Sequence, residues 1–146
     1  MSDSRAIRQA SCLCGGTKFT VKGDPFLYVL CHCLNCKKAS GSAFLANAWF
    51  KEEDVEIVSS EHLGTYIDSA TKSGASLTRS FCTKCGSTMF IRPDKRNLKK
   101  GGDIYIIPAP LVDGFKAWIP HREMFPEEKC PFVKDLVVEP KAKSKL

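Results

Sequence analysis

The chain has 146 residues, of which 43% are hydrophobic and 26% are charged, and its formal net charge is +6. This length and composition are typical of one globular domain with its own core, and they argue against an intrinsically disordered chain. No apolar run approaches the length of a membrane span, and the first ten residues, MSDSRAIRQA, lack the apolar stretch of a signal peptide.

Short segments rich in β-branched and aromatic residues recur along the chain, separated by Gly, Pro, Asp or Ser. They predict strands, in order, at 18–22, 26–30, 43–50, 55–58, 64–68, 77–81, 87–92 and 103–107. Helical signal is confined to one turn at 34–40 and a shorter one at 51–54. The pattern predicts a mainly β, mostly antiparallel protein, with residues 1–140 as a single domain and 141–146 as a basic tail.

Seven of the eight cysteines fall into three tight motifs, which are Cys12-x-Cys14, Cys31-x-Cys33-x-x-Cys36 and Cys82-x-x-Cys85. The middle motif can present three sulfurs to one metal ion from a single turn, whereas the outer motifs supply two each and must share an ion. Zinc has four protein ligands in structural sites, and three plus an open position in catalytic sites. The spacing therefore predicts two zinc ions, one structural on the outer motifs and one catalytic on the middle motif.

Other interpretations of the cysteines remain open at this point. Disulfides are disfavoured because an intracellular chain keeps its thiols reduced, while an iron–sulfur cluster or a redox role is the main competitor of zinc. Cys130 has no partner nearby in sequence, and we interpret it as a half-buried free thiol rather than a fourth ligand. Two zinc ions on seven thiolates would reduce the formal charge from +6 to about +3, which argues against nucleic-acid binding.

The three motifs, with their neighbours, carry a family resemblance. They are CLCGG at 12–16, CHCLNCKKASG at 31–41 and FCTKCGS at 81–87. With these motifs in this order, residues 8–135 or so resemble the glutathione-dependent formaldehyde-activating enzyme family, which also includes centromere protein V.

The resemblance implies a β-tent fold of antiparallel sheets pinned by two zinc ions per chain. It implies a structural zinc on Cys12, Cys14, Cys82 and Cys85, and a catalytic zinc on Cys31, Cys33 and Cys36. The activity it implies is that of a carbon–sulfur lyase, joining a small thiol and a small aldehyde as glutathione and formaldehyde form S-hydroxymethylglutathione.

A zinc ion with three thiolates favours a soft incoming ligand, so a bound thiol would lose its proton and could add to an aldehyde. We expect Lys37, Lys38 or Arg79 to contact the carboxylates of glutathione, and His121 to be a surface or hydrogen-bonded residue rather than a ligand. The alternatives are a non-catalytic, zinc-pinned binding module, acting as a glutathione carrier or protein adaptor, and a redox or metal sensor.

The end of the sequence adds an expectation about location. Ser144-Lys145-Leu146 matches the tripeptide that a peroxisomal import receptor reads at a free C-terminus. In a eukaryote we therefore expect peroxisomal import, and otherwise a cytoplasmic, intracellular protein without membrane association.

Overall fold

Short β-strands form most of the regular structure in the computed structural model, which describes residues 5–94 and 103–141. Within these ranges the strands are β1 (Ile7–Ser11), β2 (Thr17–Lys22), β3 (Leu27–Cys31), β4 (Leu45–Lys51), β5 (Val55–Ser60), β6 (Leu63–Asp68), β7 (Leu77–Cys82), β8 (Thr88–Pro93), β9 (Ile104–Pro108) and β10 (Arg122–Met124). One α-helix, α1, spans Leu34–Ser40, and short 3₁₀ turns span Glu52–Asp54, Ala109–Leu111, Phe115–Ala117 and Pro126–Glu128. The predicted mainly β class is confirmed.

The strands form two sheets. The smaller has the order β1-β2-β5, and the larger has the order β10-β3-β4-β9-β8-β7-β6. Neighbours pair antiparallel throughout the described residues, except that β10 runs parallel to β3. The eight predicted strands correspond to β2–β9 with shifts of one or two residues at their ends, whereas β1 and β10 were not predicted.

The two sheets share the main hydrophobic core. On β2, Thr17, Phe19 and Val21 are fully buried while the residues between them are less so, which is the alternation of a strand with one face inward. Phe19 packs edge-on against Phe90 of the larger sheet, with 5.0 Å between ring centroids. Phe50 lies in the same core.

The other face of the larger sheet carries a second, smaller core. Cross-strand pairing aligns Trp49, Ile106, Ile91 and Arg79 in one row across β4, β9, β8 and β7, so their side chains lie on the same face. Apolar members of this row pack with Cys31, Cys33 and Cys36. Helix α1 therefore lies over this face, and the middle cysteine motif lies between helix and sheet.

In the described part of the chain, no helix has the length and apolarity needed to cross a bilayer. The tripeptide at 144–146 lies outside the described residues, so the expected peroxisomal address and the boundary of the tail stay predictions.

Candidate metal centres

The outer cysteine motifs meet at one end of the shared core. Cys12 follows β1 directly, and Cys82 is the last residue of β7. The sulfur of Cys14 lies 3.5 Å from that of Cys12 and 3.7 Å from that of Cys82. With Cys85, all four sulfurs lie within 4.8 Å of one another. We call this group the four-cysteine cluster; it joins the smaller sheet to the larger one.

The turns that hold this cluster depend on glycine. Gly15 and Gly86 directly follow the second cysteine of each motif, and both have left-handed backbone conformations, with φ of 74° and 76°. Their amides bond back to the carbonyls of Cys12 and Cys82, at 3.1 and 2.8 Å. Each motif thus closes as a tight turn that directs its cysteine side chains toward the other motif.

Hydrogen-bond donors surround the sulfurs of the four-cysteine cluster. The Thr17 amide donates to the Cys12 sulfur at 3.4 Å, and the Ser87 hydroxyl lies 3.2 Å from the Cys85 sulfur. The contact with Ser87 lowers the pKa of Cys85 to about 5, because it favours the thiolate. The surroundings of Cys12 and Cys85 thus suit ionised sulfur, whereas the pKa of Cys14 is raised to about 11, with its neighbour Cys12 among the causes.

The middle motif forms a second group, the three-cysteine cluster. Cys31 ends β3, Cys33 caps the N-terminus of α1, and Cys36 lies in its first turn with its amide 3.4 Å from the Cys33 sulfur. The sulfurs of Cys31 and Cys33 are 3.5 Å apart, and all three sulfurs lie within 4.8 Å of one another. Gly41, with φ of 62°, ends the helix by bonding to the Lys37 carbonyl.

The three thiols cannot all be ionised at this separation without a cation. Hydrogen bonds from Cys31 and Cys36 lower the pKa of Cys33 to about 2, and the same contact with Cys33 raises the pKa of Cys31. One thiolate thus suppresses ionisation of its neighbour. A divalent cation would relieve that repulsion and hold all three sulfurs as thiolates.

Both clusters fit a thiolate-bound metal ion. Four thiolates about 2.3 Å from a tetrahedral zinc are separated from one another by about 3.8 Å. The sulfur separations of 3.5 and 3.7 Å are close to that value. The predicted division into four and three cysteines is thus reproduced by the described residues.

Comparison with known proteins supplies a family for this arrangement. The sequence model of the family described as glutathione-dependent formaldehyde-activating enzyme matches residues 7–128. The chain belongs to that family. A crystal structure of a Rhodobacter sphaeroides protein is similar with a TM-score of 0.59 and 16% identity, covering 80% of this chain and 99% of that one, which shows the fold alone. A search of curated proteins found no match.

In this member of the formaldehyde-activating family, a group of polar residues, most of them buried, lies beside the three-cysteine cluster. The Arg79 guanidinium donates through Nε to Asp68 at 2.7 Å, and Asn35 donates to both Asp68 oxygens at 2.9 Å. Although burial raises the pKa of Asp68, these hydrogen bonds hold it below its ordinary value. Asn47 donates to the Cys36 sulfur at 3.9 Å. Among these residues, the sequence analysis had singled out only Arg79.

The other predicted contacts have different surroundings. Lys37 donates to the carbonyl of Glu128 at 2.6 Å and so holds the C-terminal part of the chain. Lys38 is exposed on the same helix. His121 accepts a 2.8 Å hydrogen bond at Nδ1 from the Tyr28 amide, as expected of a hydrogen-bonded residue. Whether Lys37, Lys38 or Arg79 contacts substrate stays a prediction.

Residues 122–130, the closing segment, pack against the three-cysteine cluster. β10 pairs with β3, and Glu123 on it bonds to the fully buried His32 at 2.8 Å and to Lys129 at 2.9 Å. Met124 and Phe125 pack against the apolar cluster that contains the three cysteines. These contacts could not be predicted locally, since Glu123 lies 91 residues from its partner His32.

Cys130 lies at the end of the closing segment. Its sulfur is 3.9 Å from the Lys37 ammonium group, and it belongs to neither cysteine cluster among the described residues. It is half-buried, as the sequence analysis expected.

Proposed function

We propose that the chain is a zinc-dependent enzyme of the carbon–sulfur lyase type that forms and cleaves thiol–aldehyde adducts. The family name supports glutathione and formaldehyde as the thiol and aldehyde. The observation that carries the proposal is the three-cysteine cluster, which offers three sulfurs to one ion where a closed structural site would offer four. Two zinc ions per chain follow, one on each cluster.

The chemistry suits a soft ligand. A metal ion on Cys31, Cys33 and Cys36 would supply a position where an incoming thiol is held as a nucleophilic thiolate. The protein's own contribution is orientation, since Met124 and Phe125, which pack on the apolar cluster containing these cysteines, restrict where an aldehyde can approach. Exposed Lys38, two residues after Cys36 on α1, would attract a glutathione carboxylate from solvent, whereas Arg79 is buried and paired with Asp68.

The test is exchange between free and adduct-bound formaldehyde, followed at equilibrium by two-dimensional exchange NMR with glutathione. We expect the exchange rate to rise in proportion to the concentration of the zinc-loaded protein. Cys36→Ser should abolish the protein-dependent exchange without changing the circular dichroism spectrum. Cys130→Ser, a cysteine outside both clusters, should retain exchange within about twofold.

Two results would contradict the proposal. An exchange rate independent of protein concentration would remove the enzyme assignment. Elemental analysis that finds one zinc per chain, or iron, would remove the assignment of two zinc sites.

A second function is favoured by one observation. Each thiol of the three-cysteine cluster is at most 7% exposed, as expected of a non-catalytic binding module in which an ion only pins the fold. Such a module would bind two zinc ions tightly, and the exchange experiment would show only the uncatalysed rate.

A further inference from the structure

Two buried side chains beside the three-cysteine cluster have unused hydrogen-bonding capacity. Arg79 is 8% exposed and Asn47 is 5% exposed. Within the described part of the chain, the Nη1 donor of Arg79 and the Oδ1 acceptor of Asn47 have no hydrogen-bond partner. Burying such groups unpaired destabilises a fold, so each calls for an explanation.

Both side chains lie on the side of the sheet that carries the three-cysteine cluster. Asn47 donates through Nδ2 to Cys36, so its free Oδ1 belongs to an amide already oriented at the cluster. Arg79 lies on the same face of the larger sheet, in the cross-strand row whose members Ile91 and Ile106 pack with the three cysteines. An unpaired donor on β7 and an unpaired acceptor on β4 therefore lie on the face of the sheet that carries the three cysteines.

The Arg79 side chain and the Asn47 backbone are held in place by contacts that do not involve the cluster. The Asp68 carboxylate accepts from Arg79 Nε at 2.7 Å and is itself fixed by Asn35. Asn47 lies in the interior of β4, where its backbone pairs with both neighbouring strands. The Arg79 guanidinium is thus positioned before any ligand arrives, and the Asn47 amide is carried by a strand paired on both sides, which is an arrangement that favours recognition.

One donor and one acceptor together match a hydroxyl group, which accepts one hydrogen bond and donates another. Resting on the proposed function, we propose that Arg79 Nη1 and Asn47 Oδ1 bind the oxygen of the aldehyde and of its thiol adduct. Arg79 donates to the oxygen throughout the reaction, and Asn47 accepts from the hydroxyl of the adduct. The pair thereby selects thiols that carry a hydroxyl near sulfur.

The step balances without another reactant. The thiol releases its proton to solvent on binding, the carbon–sulfur bond forms, and the electron pair of the carbonyl π bond moves onto oxygen. Arg79 stabilises the negative charge that develops there. A proton from solvent then completes the hydroxyl, whose hydrogen Asn47 accepts, and cleavage of the adduct reverses these events.

Binding of two matched thiols to the zinc-loaded, full-length protein tests the pair without measuring turnover. The probes are 2-mercaptoethanol and 1-propanethiol, which differ by a hydroxyl in place of a methyl group. By isothermal titration calorimetry we expect the wild-type protein to bind 2-mercaptoethanol about tenfold more tightly. Asn47→Leu and Arg79→Lys should bring the ratio close to one, chiefly by weakening binding of 2-mercaptoethanol.

The variants separate recognition from other roles. If Arg79 only balances charge, Arg79→Lys keeps the wild-type ratio, which would overturn its assignment. If Asn47 is structural, Asn47→Leu lowers the melting temperature; we expect an unchanged or higher one, because an unpaired buried acceptor is removed. Thr17→Val is the matched control, since the Thr17 hydroxyl is also buried and unpaired among the described residues, and it should keep the ratio.

The thiol-binding ratio tests the oxygen site independently of whether the protein catalyses formaldehyde exchange. A wild-type ratio near one overturns the oxygen site even if formaldehyde exchange is accelerated, and that result requires no variant to fold. A tenfold ratio that both substitutions abolish supports the site even if exchange proceeds at the uncatalysed rate.

Discussion

The two cysteine clusters differ in solvent exposure. The cluster with four cysteines is the more exposed, although a cluster with three leaves a coordination position open and would be expected to be the more accessible. In the four-cysteine cluster, Cys14 is exposed and Cys85 is half-buried, whereas all members of the three-cysteine cluster are buried. Ligand number and solvent access are therefore separate properties. The cluster with three ligands lies in a region of low dielectric, where a charge such as that of Arg79 acts more strongly than it would in water.

The largest loss of stability should come from removing a cysteine of the four-cysteine cluster. Cys82 is fully buried in the core shared by the two sheets, so Cys82→Ser removes a proposed metal ligand and a packed sulfur together. We expect the free energy of unfolding to fall by more than about 4 kcal/mol, measured by urea denaturation. The far-ultraviolet circular dichroism signal should also decrease.

Cys36→Ser is the comparison variant, since it removes one ligand from the other cluster. If the two clusters differ in role, it loses the second metal but stays folded. Equal destabilisation by the two variants would show that both ions are structural.

Much of the strand order and both cysteine clusters could be predicted because their signals are local. The alternation along β2 and the three cysteine motifs each lie within a few residues. β1 was missed because IRQAS contains little apolar sequence and forms a strand through its pairing with β2. β10 is three residues long and pairs with a strand more than 90 residues away, so its local sequence carries no comparable signal.

The burial of the three-cysteine cluster could not be predicted for a related reason. It depends on the closing segment and on the pairing of Arg79 with Asp68 across β7 and β6. Which side chains face the cluster is decided by the order of seven strands, and the sequence analysis did not derive that order. The expectation of an open coordination position rested on ligand number, which says nothing about what covers the site.

Breaking the ion pair between Asp68 and Arg79 should produce the next largest loss of unfolding free energy. Both side chains are at most 10% exposed, so Asp68→Asn leaves the Arg79 charge buried without its counter-ion. We expect a loss of about 3 kcal/mol in unfolding free energy by urea denaturation. The four-cysteine cluster should keep its metal ion.

A double variant sharpens this prediction. Replacing both partners by apolar residues, as Asp68→Leu with Arg79→Met, removes the buried charges together. We expect it to be more stable than Asp68→Asn alone. A double variant as unstable as the single one would show that packing, rather than charge pairing, sets the loss.

Removing side-chain contacts of the closing segment should destabilise the protein less and should affect only the three-cysteine cluster. Glu123→Ala removes the hydrogen-bond partner of His32 and the ion pair with Lys129. We expect a loss of about 1–2 kcal/mol and faster release of one of two zinc ions to a chromogenic chelator. Glu127→Ala, at an exposed position of the same segment, is the control and should leave release unchanged. Faster release of both ions would mean that the closing segment stabilises the whole fold.

The smallest loss of stability should come from substituting Asp24, which belongs to neither cluster. Its carboxylate accepts from Trp118 Nε1 at 2.8 Å and from Arg8 at 2.9 Å, and chiefly the Trp118 hydrogen bond lowers its pKa. The stabilisation is therefore present above about pH 4 and is lost as pH falls through the lowered pKa of the folded state. Because the Asp24 side chain is 69% exposed, Asp24→Asn should cost less than about 1 kcal/mol at pH 7.

Urea denaturation of both proteins at pH 7 and pH 3 measures this difference, which should shrink at the lower pH because the carboxyl of the unfolded state takes up a proton there. Zinc content should be unchanged at pH 7. Loss of either ion in Asp24→Asn would show that metal binding by the clusters depends on the overall stability of the fold. The difference expected between the two clusters could then not be attributed to the residues around each of them.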